Sequence, residues 1–189
     1  MTENPIAEDR LPADLVAFVR RQKDRQEIWD CLVRYTRGLD RFDHALMASA
    51  YHSDAWDDHG MKSANGAEFC AWAIGFHGEI QTRHQHHITN HAVEFDGDTA
   101  HAETYYFFWG DNLEGPPTLA FGRYVDRFEK RNGRWAIAYR RCITEKVGAF
   151  VEIDQPAEFK ANNDLTGPCH RDRRDISYVR PLTRSTPNE

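Results

Sequence analysis

Residues 119–147 read LAFGRYVDRFEKRNGRWAIAYRRCITEKV, and this stretch decides the fold class. Asn132-Gly133 fits a two-residue type I′ turn, in which both positions need a positive φ. The flanking segments, Leu119–Lys130 and Arg134–Val147, carry the side-chain pattern of strands. The stretch therefore predicts a long antiparallel hairpin.

Two further strands are predicted before this hairpin. His86–Phe95 alternates between apolar and polar residues and ends at Asp96-Gly97-Asp98, a second hairpin signal. Thr99–Trp109 is rich in aromatic residues and follows directly, while a loop with Gly115-Pro116-Pro117 separates it from the last hairpin. Successive strands joined in this way indicate a mostly antiparallel sheet.

The first half of the chain has helical periodicity instead. Leu15, Phe18 and Val19 have the spacing of one helix, and a second apolar stripe comprises Ile28, Cys31, Leu32, Tyr35 and Leu39. Asp43 is placed to cap a short third helix, and residues 66–80 predict another, with Phe69, Trp72, Ala73 and Phe76 facing inward. Helices followed by a run of strands are typical of the α+β class. We expect the helices to pack in the concave face of one strongly curved sheet.

Composition limits the possible functions. A length of 189 residues suggests one domain, with residues 1–10 disordered, 11–150 folded and a polar, proline-containing extension over 151–189. The net charge of −6 argues against nucleic-acid binding, which needs a basic face. We expect a cytoplasmic protein that does not act at a membrane, since the N-terminus is polar and acidic and no long apolar run is present. The four cysteines are widely spaced, so neither a zinc motif nor a redox motif is indicated.

Two short segments suggest chemistry. The segment Tyr35–Asp40 ends the second apolar stripe with a carboxylate. The dipole at a helix C-terminus disfavours negative charge, so the position of Asp40 suggests a function other than helix stability. His84–Asn90 begins a predicted strand, and alternation places His84, His86 and Asn90 on one face, with His87 and His91 on the other. A carboxylate that meets an imidazole in an apolar cavity forms a general-base dyad.

These and other motifs resemble the SnoaL-like proteins of the nuclear transport factor 2-like superfamily. The resemblance runs through Arg34–Gly60, then His86-x-x-x-Asn90, then Gly122–Glu129 and finally Asn132-Gly133 with its following strand, over roughly residues 15–147. Arg171–Tyr178 is also similar to the end of one bacterial subgroup. The resemblance implies a cone-shaped α+β barrel. Members include scytalone dehydratase, hexachlorocyclohexane dehydrochlorinase, bile-acid 7α-dehydratase, ketosteroid isomerase and polyketide cyclases.

The resemblance also implies site residues. In the dehydratase and dehydrochlorinase branch an Asp–His dyad abstracts a proton, which implies Asp40 and His86 here, with Tyr35 and Arg140 as further catalytic residues. His59 stands near the position of a second pocket Tyr in some dehydratases, so the sequence departs from the pattern there. We expect His59, Trp56, Phe76 and Asn90 to contact the substrate. No cofactor is implied, and a homodimer or homotrimer is expected.

Other interpretations stay open. Tyr35 could be ordinary core, and His86 competes with the neighbouring histidines. His84-x-His86 could begin a metal site, but the second His motif on a later strand that cupins use for this purpose is missing, so we predict no metal. The favoured function is a cofactor-independent dehydratase, dehydrohalogenase, isomerase or cyclase that acts on an apolar, ring-containing small molecule. The alternatives are a non-catalytic ligand-binding module and an assembly partner like the small subunit of ring-hydroxylating dioxygenases.

Overall fold

The computed structural model describes residues 11–164, 167 and 169–183, so the predicted disordered segment 1–10 lies outside the described residues. Its elements are α1 (Ala13–Asp40), α2 (His44–Ala48), β1 (Tyr51–Asp58), β2 (Ser63–Asn65), α3 (Gly66–Ile80), β3 (Gln81–Asp96), β4 (Thr99–Asn112), β5 (Thr118–Arg131), β6 (Arg134–Ala149) and α4 (Ala157–Asp164). No helix along the described residues has the length and apolar character needed to cross a membrane.

Six strands form one mixed sheet in the order β2-β1-β6-β5-β4-β3. Strands β3 to β6 pair antiparallel in sequence order, whereas β1 runs parallel to β6. Asn132 and Gly133 both have positive φ, at 52° and 76°, as the predicted type I′ hairpin requires. The α+β class is confirmed, but the sheet stays open between its edge strands β2 and β3 and does not close into a barrel.

The N-terminal helix differs from the prediction. The two expected helices form one continuous helix of 28 residues, α1, because residues 20–27 contain no Gly or Pro that would interrupt it. Its first half extends away from the core, so that Phe18 is 60% exposed. Its second half buries the predicted stripe from Ile28 to Leu39 against β3 and β6.

The end of α1 is fixed by a close helix–helix contact. A Cβ atom at Gly38 would lie 2.4 Å from the backbone nitrogen of Met47, so only glycine permits α2 to approach this closely. Asp43 caps α2 by accepting a hydrogen bond from the Leu46 amide at 3.1 Å. The short loop 41–43 between the two helices therefore holds Asp40, the last residue of α1, in a defined place.

Part of the C-terminal extension packs on its own chain, against loop 41–43 and the end of α3. Arg171 donates a hydrogen bond to the His77 carbonyl at 2.9 Å, and its guanidinium lies 4.5 Å from the centre of the Phe42 ring. Arg173 pairs with Asp43 at 2.8 Å, and Asp175 pairs with Arg41 at 3.4 Å. We call residues 171–178 the C-terminal clamp.

We predict that Arg171→Ala lowers the free energy of unfolding by about 1–2 kcal/mol, because it removes one hydrogen bond and one cation–π contact. Urea denaturation followed by circular dichroism measures this change. Arg174→Ala is the matched control, since Arg174 is exposed and its side chain donates hydrogen bonds to Asp172 within the clamp itself. Equal effects of the two substitutions would show that the clamp contributes nothing at Arg171.

Candidate active site

A cavity of about 360 Å³ lies between α3 and the concave face of the sheet, a size suited to a small molecule. Its wall is mostly aromatic and aliphatic, with Phe69, Trp72, Phe76, Tyr106, Phe108 and Tyr124 among its residues. A more open groove of about 590 Å³ lies on the opposite face of the sheet, beside charged residues such as the half-buried Glu103 and the exposed Arg141. The concave cavity places His59, His77 and His86 beside its aromatic wall, so we take it as the candidate site.

Asp40 and His86 meet at this cavity. The His86 Nδ1 atom lies 2.7 Å from one Asp40 carboxylate oxygen, and the backbone amide of His86 donates to both oxygens at 3.1 and 3.0 Å. These donors compensate for the unfavourable position of a carboxylate at a helix C-terminus. His86 lines the cavity while Asp40 lies behind it. A protonated Nδ1 that donates to Asp40 leaves the Nε2 lone pair of a neutral ring available to a ligand.

Two further histidines surround the dyad as neutral rings. Burial is the main cause, and the neighbouring His77 the second, of a His84 pKa lowered to about 3. The Nε2 atom of His84 lies 3.3 Å from the Leu39 carbonyl oxygen. Burial and then the nearby His86 lower the pKa of His77 to about 3, and its Nδ1 lies 2.7 Å from the Gln81 amide oxygen. Each contact requires the neutral ring to donate, so the dyad has no cationic histidine from these positions at pH 7.

Asp40, His84 and His86 could also be considered as metal ligands, since their ligand atoms lie within 4.8 Å of one another. Two ligands at about 2.1 Å from a tetrahedral ion would be about 3.4 Å apart. The Asp40–His86 contact of 2.7 Å is shorter than that, and the Nε2 atom of His84 already meets a carbonyl. The cluster as placed therefore fits a hydrogen-bonded dyad better than a metal centre.

A second Asp–His pair has its histidine, His59, in the wall of the same cavity. Asp57 is fully buried on β1, accepts a hydrogen bond from the Tyr51 hydroxyl and contacts Nδ1 of His59. Burial by itself favours the neutral imidazole, but the charge and hydrogen bond of Asp57, together with the contact of Cys142, outweigh burial and raise the pKa of His59 to about 9. His59 is therefore an imidazolium at pH 7.

Arg140 lies behind the cavity and does not line it. It is fully buried, forms a bidentate ion pair with Asp126 at 2.7 Å, and its guanidinium lies 4.3 and 4.1 Å from the centres of the Tyr35 and Tyr124 rings. The expected direct contact of Arg140 with a substrate is therefore unsupported by its placement. Its contacts instead hold the two tyrosine rings.

Tyr35 is a cavity residue whose hydroxyl has no hydrogen-bond partner among the described residues. Burial and then the charge of Asp57 raise its pKa well above the usual range, so the hydroxyl stays protonated. A ligand oxygen in the cavity could accept its proton in a hydrogen bond.

Phe76 and His59 lie in the cavity wall, whereas Trp56 and Asn90 lie elsewhere. Trp56 is on the outer face of β1, 48% exposed, and donates to Ser63. Asn90 is exposed because an irregularity between Ile88 and His91 shifts the register of β3 and reverses the alternation that placed it beside His86. The predicted face of Asn90 was therefore wrong, and His91 faces the core instead, against Trp29 of α1.

Sequence reasoning missed Asp57, His77 and Tyr124 in this site. Asp57 has the same strand parity as the small residue Ala55, which would have placed it inside and Trp56 outside. His77 lies four and eight residues after Ala73 and Phe69, on the inward stripe of α3. Tyr124 shares one face of β5 with Asp126 and Phe128, so strand alternation could also have predicted that it points inward.

Family and structural comparisons agree with this geometry. Residues 20–141 match the model of the SnoaL-like domain. The chain belongs to the SnoaL-like domain family. Its match runs from within α1 to the middle of β6 and includes the segments that contribute to the dyad, whereas the C-terminal clamp lies outside it.

Several solved structures share the SnoaL-like fold of this chain. The LinA crystal structure is 22% identical with a TM-score of 0.68, covering 73% of this chain and 98% of LinA. Hexachlorocyclohexane dehydrochlorinase LinA-type3 of Novosphingobium barchaimii is 20% identical with a TM-score of 0.67, covering 73% and 99% of the two chains. A protein of Novosphingobium aromaticivorans with a provisional assignment as a scytalone dehydratase is 18% identical with a TM-score of 0.63, covering 72% and 95%. No curated protein matches the sequence.

Proposed function

We propose that this SnoaL-like protein is a cofactor-independent enzyme of the lyase or isomerase type, which removes a proton from carbon in an apolar, ring-containing small molecule. The hydrogen bond between Asp40 and His86 at the cavity carries the proposal. The solved dehydrochlorinase and dehydratase relatives support it at the level of the fold. The aromatic wall supplies flat apolar surfaces for a ring.

The proposed mechanism assigns one role to each polar group. The Nε2 atom of neutral His86 takes the proton from a carbon beside a carbonyl, and Asp40 fixes the tautomer and stabilises the imidazolium that forms. The Tyr35 hydroxyl donates a hydrogen bond to the developing enolate oxygen. Arg140 acts as a positioning residue, since its contacts hold the Tyr35 ring at the cavity.

The same geometry favours an enzyme over a non-catalytic binding module. A module that only holds a ligand has no need for a carboxylate directed at an imidazole. For such a module, Asp40 and His86 could lie well beyond hydrogen-bond distance of each other. The observed contact is 2.7 Å. An assembly subunit would use the outer face of the sheet, where Tyr105 and Phe121 are exposed. That role would give the Asp40–His86 dyad no function.

A test of proton abstraction does not require the natural substrate. Cyclohexanone, 1-indanone and 2-tetralone are incubated with the protein in D₂O, and deuterium incorporation beside the carbonyl is followed by NMR. We expect the wild type to accelerate exchange of at least one ketone, and His87→Ala to retain that activity, because His87 stacks on Phe107 at the outer face. Exchange no faster than with heat-denatured protein for all three ketones would contradict the proposed function.

A further inference from the structure

One cavity of this protein contains two Asp–His pairs that come from different elements. Asp40 and His86 join α1 to β3, whereas Asp57 lies on β1 and His59 follows it in the next loop. The proposed proton abstraction uses only the first pair. The second pair places a buried carboxylate behind an imidazole at another point of the same wall.

We propose that His59 is the general acid of this site and that the substrate therefore carries an oxygen leaving group, a hydroxyl in the position β to a carbonyl. The inference rests on the proposed function, because an acid of this kind completes the elimination that His86 begins. It narrows the reaction from the lyase and isomerase classes to dehydration.

His59 is placed to reach a leaving group away from the base. Its ring stacks on the Phe69 ring with the ring centres 4.3 Å apart, whereas the His86 ring meets the His77 ring edge-on with the centres 5.4 Å apart. Phe69 and His77 are eight residues apart on α3, or about 12 Å along the helix axis. The two imidazoles therefore contact different turns of α3, and both line the same cavity.

The contacts of His59 leave one nitrogen for a ligand. Nδ1 is committed to Asp57, so Nε2 is the atom that can donate to a substrate. Its neighbour there is the thiol of Cys142, a weak hydrogen-bond partner that also lines the cavity. The side chain of His59 keeps 19% of its surface accessible, although Asp57 behind it has none.

The ionisable surroundings of His59 keep it charged at neutral pH. The groups that face it are Asp57 from β1, Cys142 from β6, Tyr124 from β5 and, farther along α3, the neutral His77. Asp57, through its charge and its hydrogen bond, and Cys142 together raise the pKa of His59 to about 9 against the effect of burial. The group opposite the base is therefore a proton donor before any substrate enters.

A proton donor such as His59 is needed when the leaving group is a hydroxyl. His86 takes the proton from the carbon beside the carbonyl, the electron pair of that C–H bond forms the new C=C bond, and the C–O bond to the hydroxyl breaks. The Nε2–H of His59 supplies its proton to the departing oxygen, so the products are an enone and water. His86 is then protonated and His59 neutral, and the proton returns through solvent. Hydroxide leaves poorly without this proton because water has a pKa of about 15.7, whereas chloride leaves unaided.

A matched pair of substrates tests the assignment. 3-Hydroxycyclohexanone and 3-chlorocyclohexanone both eliminate to cyclohex-2-enone, which absorbs in the ultraviolet, and the uncatalysed rate is subtracted. We expect His59→Gln to lower kcat for the hydroxy ketone by about 10²–10⁴-fold and for the chloro ketone by about tenfold or less. A similar loss for both ketones, or for neither, would overturn the role of His59.

Two further results separate this inference from the proposed function. Absence of catalysed α-deuteration in the wild type refutes the proposed function itself, whereas catalysed exchange without elimination of the hydroxy ketone overturns the inference alone. Nitrogen NMR of labelled histidine reports the His59 ring without any substrate, and we expect an imidazolium at pH 7.5 that becomes neutral in Asp57→Asn. A neutral His59 ring in the wild type at that pH would also overturn the inference.

The pH profile gives an independent readout. Because the acid must be protonated, kcat for the hydroxy ketone should fall as pH rises through about 9. In Asp57→Asn the fall should come at lower pH, since the carboxylate that favours the charged ring is gone. An alkaline limb that does not move in Asp57→Asn would contradict the assignment.

Discussion

His86→Ala and Asp40→Asn are each expected to lower the rate of α-deuteration by about 10²–10⁴-fold. The first removes the atom that accepts the proton. The second keeps the shape of the side chain but replaces the carboxylate that stabilises the imidazolium, and the Asn amide can turn its NH₂ group toward the Nδ1 atom of His86. That orientation favours the wrong tautomer, with the proton on Nε2.

The two variants should be separable from simple unfolding. Asp40 is only partly buried and His86 lies at the cavity surface, so circular dichroism and binding of a ring ketone should be retained. Asp30→Asn is a matched carboxylate control, because Asp30 is exposed on α1 and its side chain accepts a hydrogen bond from Gln26 of the same helix. Activity of His86→Ala within about tenfold of wild type, below the usual range for general-base help, would rule out His86 as the base, and the same result for Asp40→Asn would rule out the role of Asp40.

Arg140→Met is expected to cost about 3–5 kcal/mol of the free energy of unfolding, the largest effect on stability that we predict. The substitution leaves Asp126 fully buried without its cation, and the bidentate hydrogen bonds at 2.7 Å are lost. The methionine side chain fits the space between the Tyr35 and Tyr124 rings but makes no cation–π contact. Urea denaturation measures the change.

A double substitution tests the physical reason. Arg140→Met combined with Asp126→Leu removes both charges, and much of the lost stability should return because no unpaired carboxylate remains. Arg141→Met is the matched control on the outer face, where Arg141 is exposed, and it should change the free energy by about 0.5 kcal/mol or less. A single Arg140→Met variant as stable as this control would mean that the buried pair contributes no net stability.

Local sequence signals were enough to predict the class of the fold. Asn132-Gly133 defined the last hairpin because its backbone requires positive φ, and the structure has both angles. The helix from Gly66 to Ile80 followed from its inward aromatic stripe, and its bounds agree with the structure. The open edges of the sheet did not follow from these signals, since closure depends on how strands meet across the whole sheet.

Strand irregularities explain what the sequence could not predict about the site. Counting outward from the last turn pairs Arg131 with Arg134, and the same count would place Asp126 opposite Tyr139. A register shift between Arg127 and Phe128 places it opposite Arg140 instead, which creates the buried ion pair. Asn90 was misplaced for the same kind of reason in β3. Asp40 and His86 were predicted through the family resemblance, whereas the pair of Asp57 and His59 required the structure.

The C-terminal clamp also has a consequence for the order in which the molecule matures. Loop 41–43 follows Asp40 directly, but Arg171, Arg173 and Asp175, which pack against this loop, are made about 130 residues later. During synthesis on the ribosome, the sheet can assemble before these residues emerge. The loop that follows Asp40 therefore reaches its final packing only after the strands that line the cavity have been made.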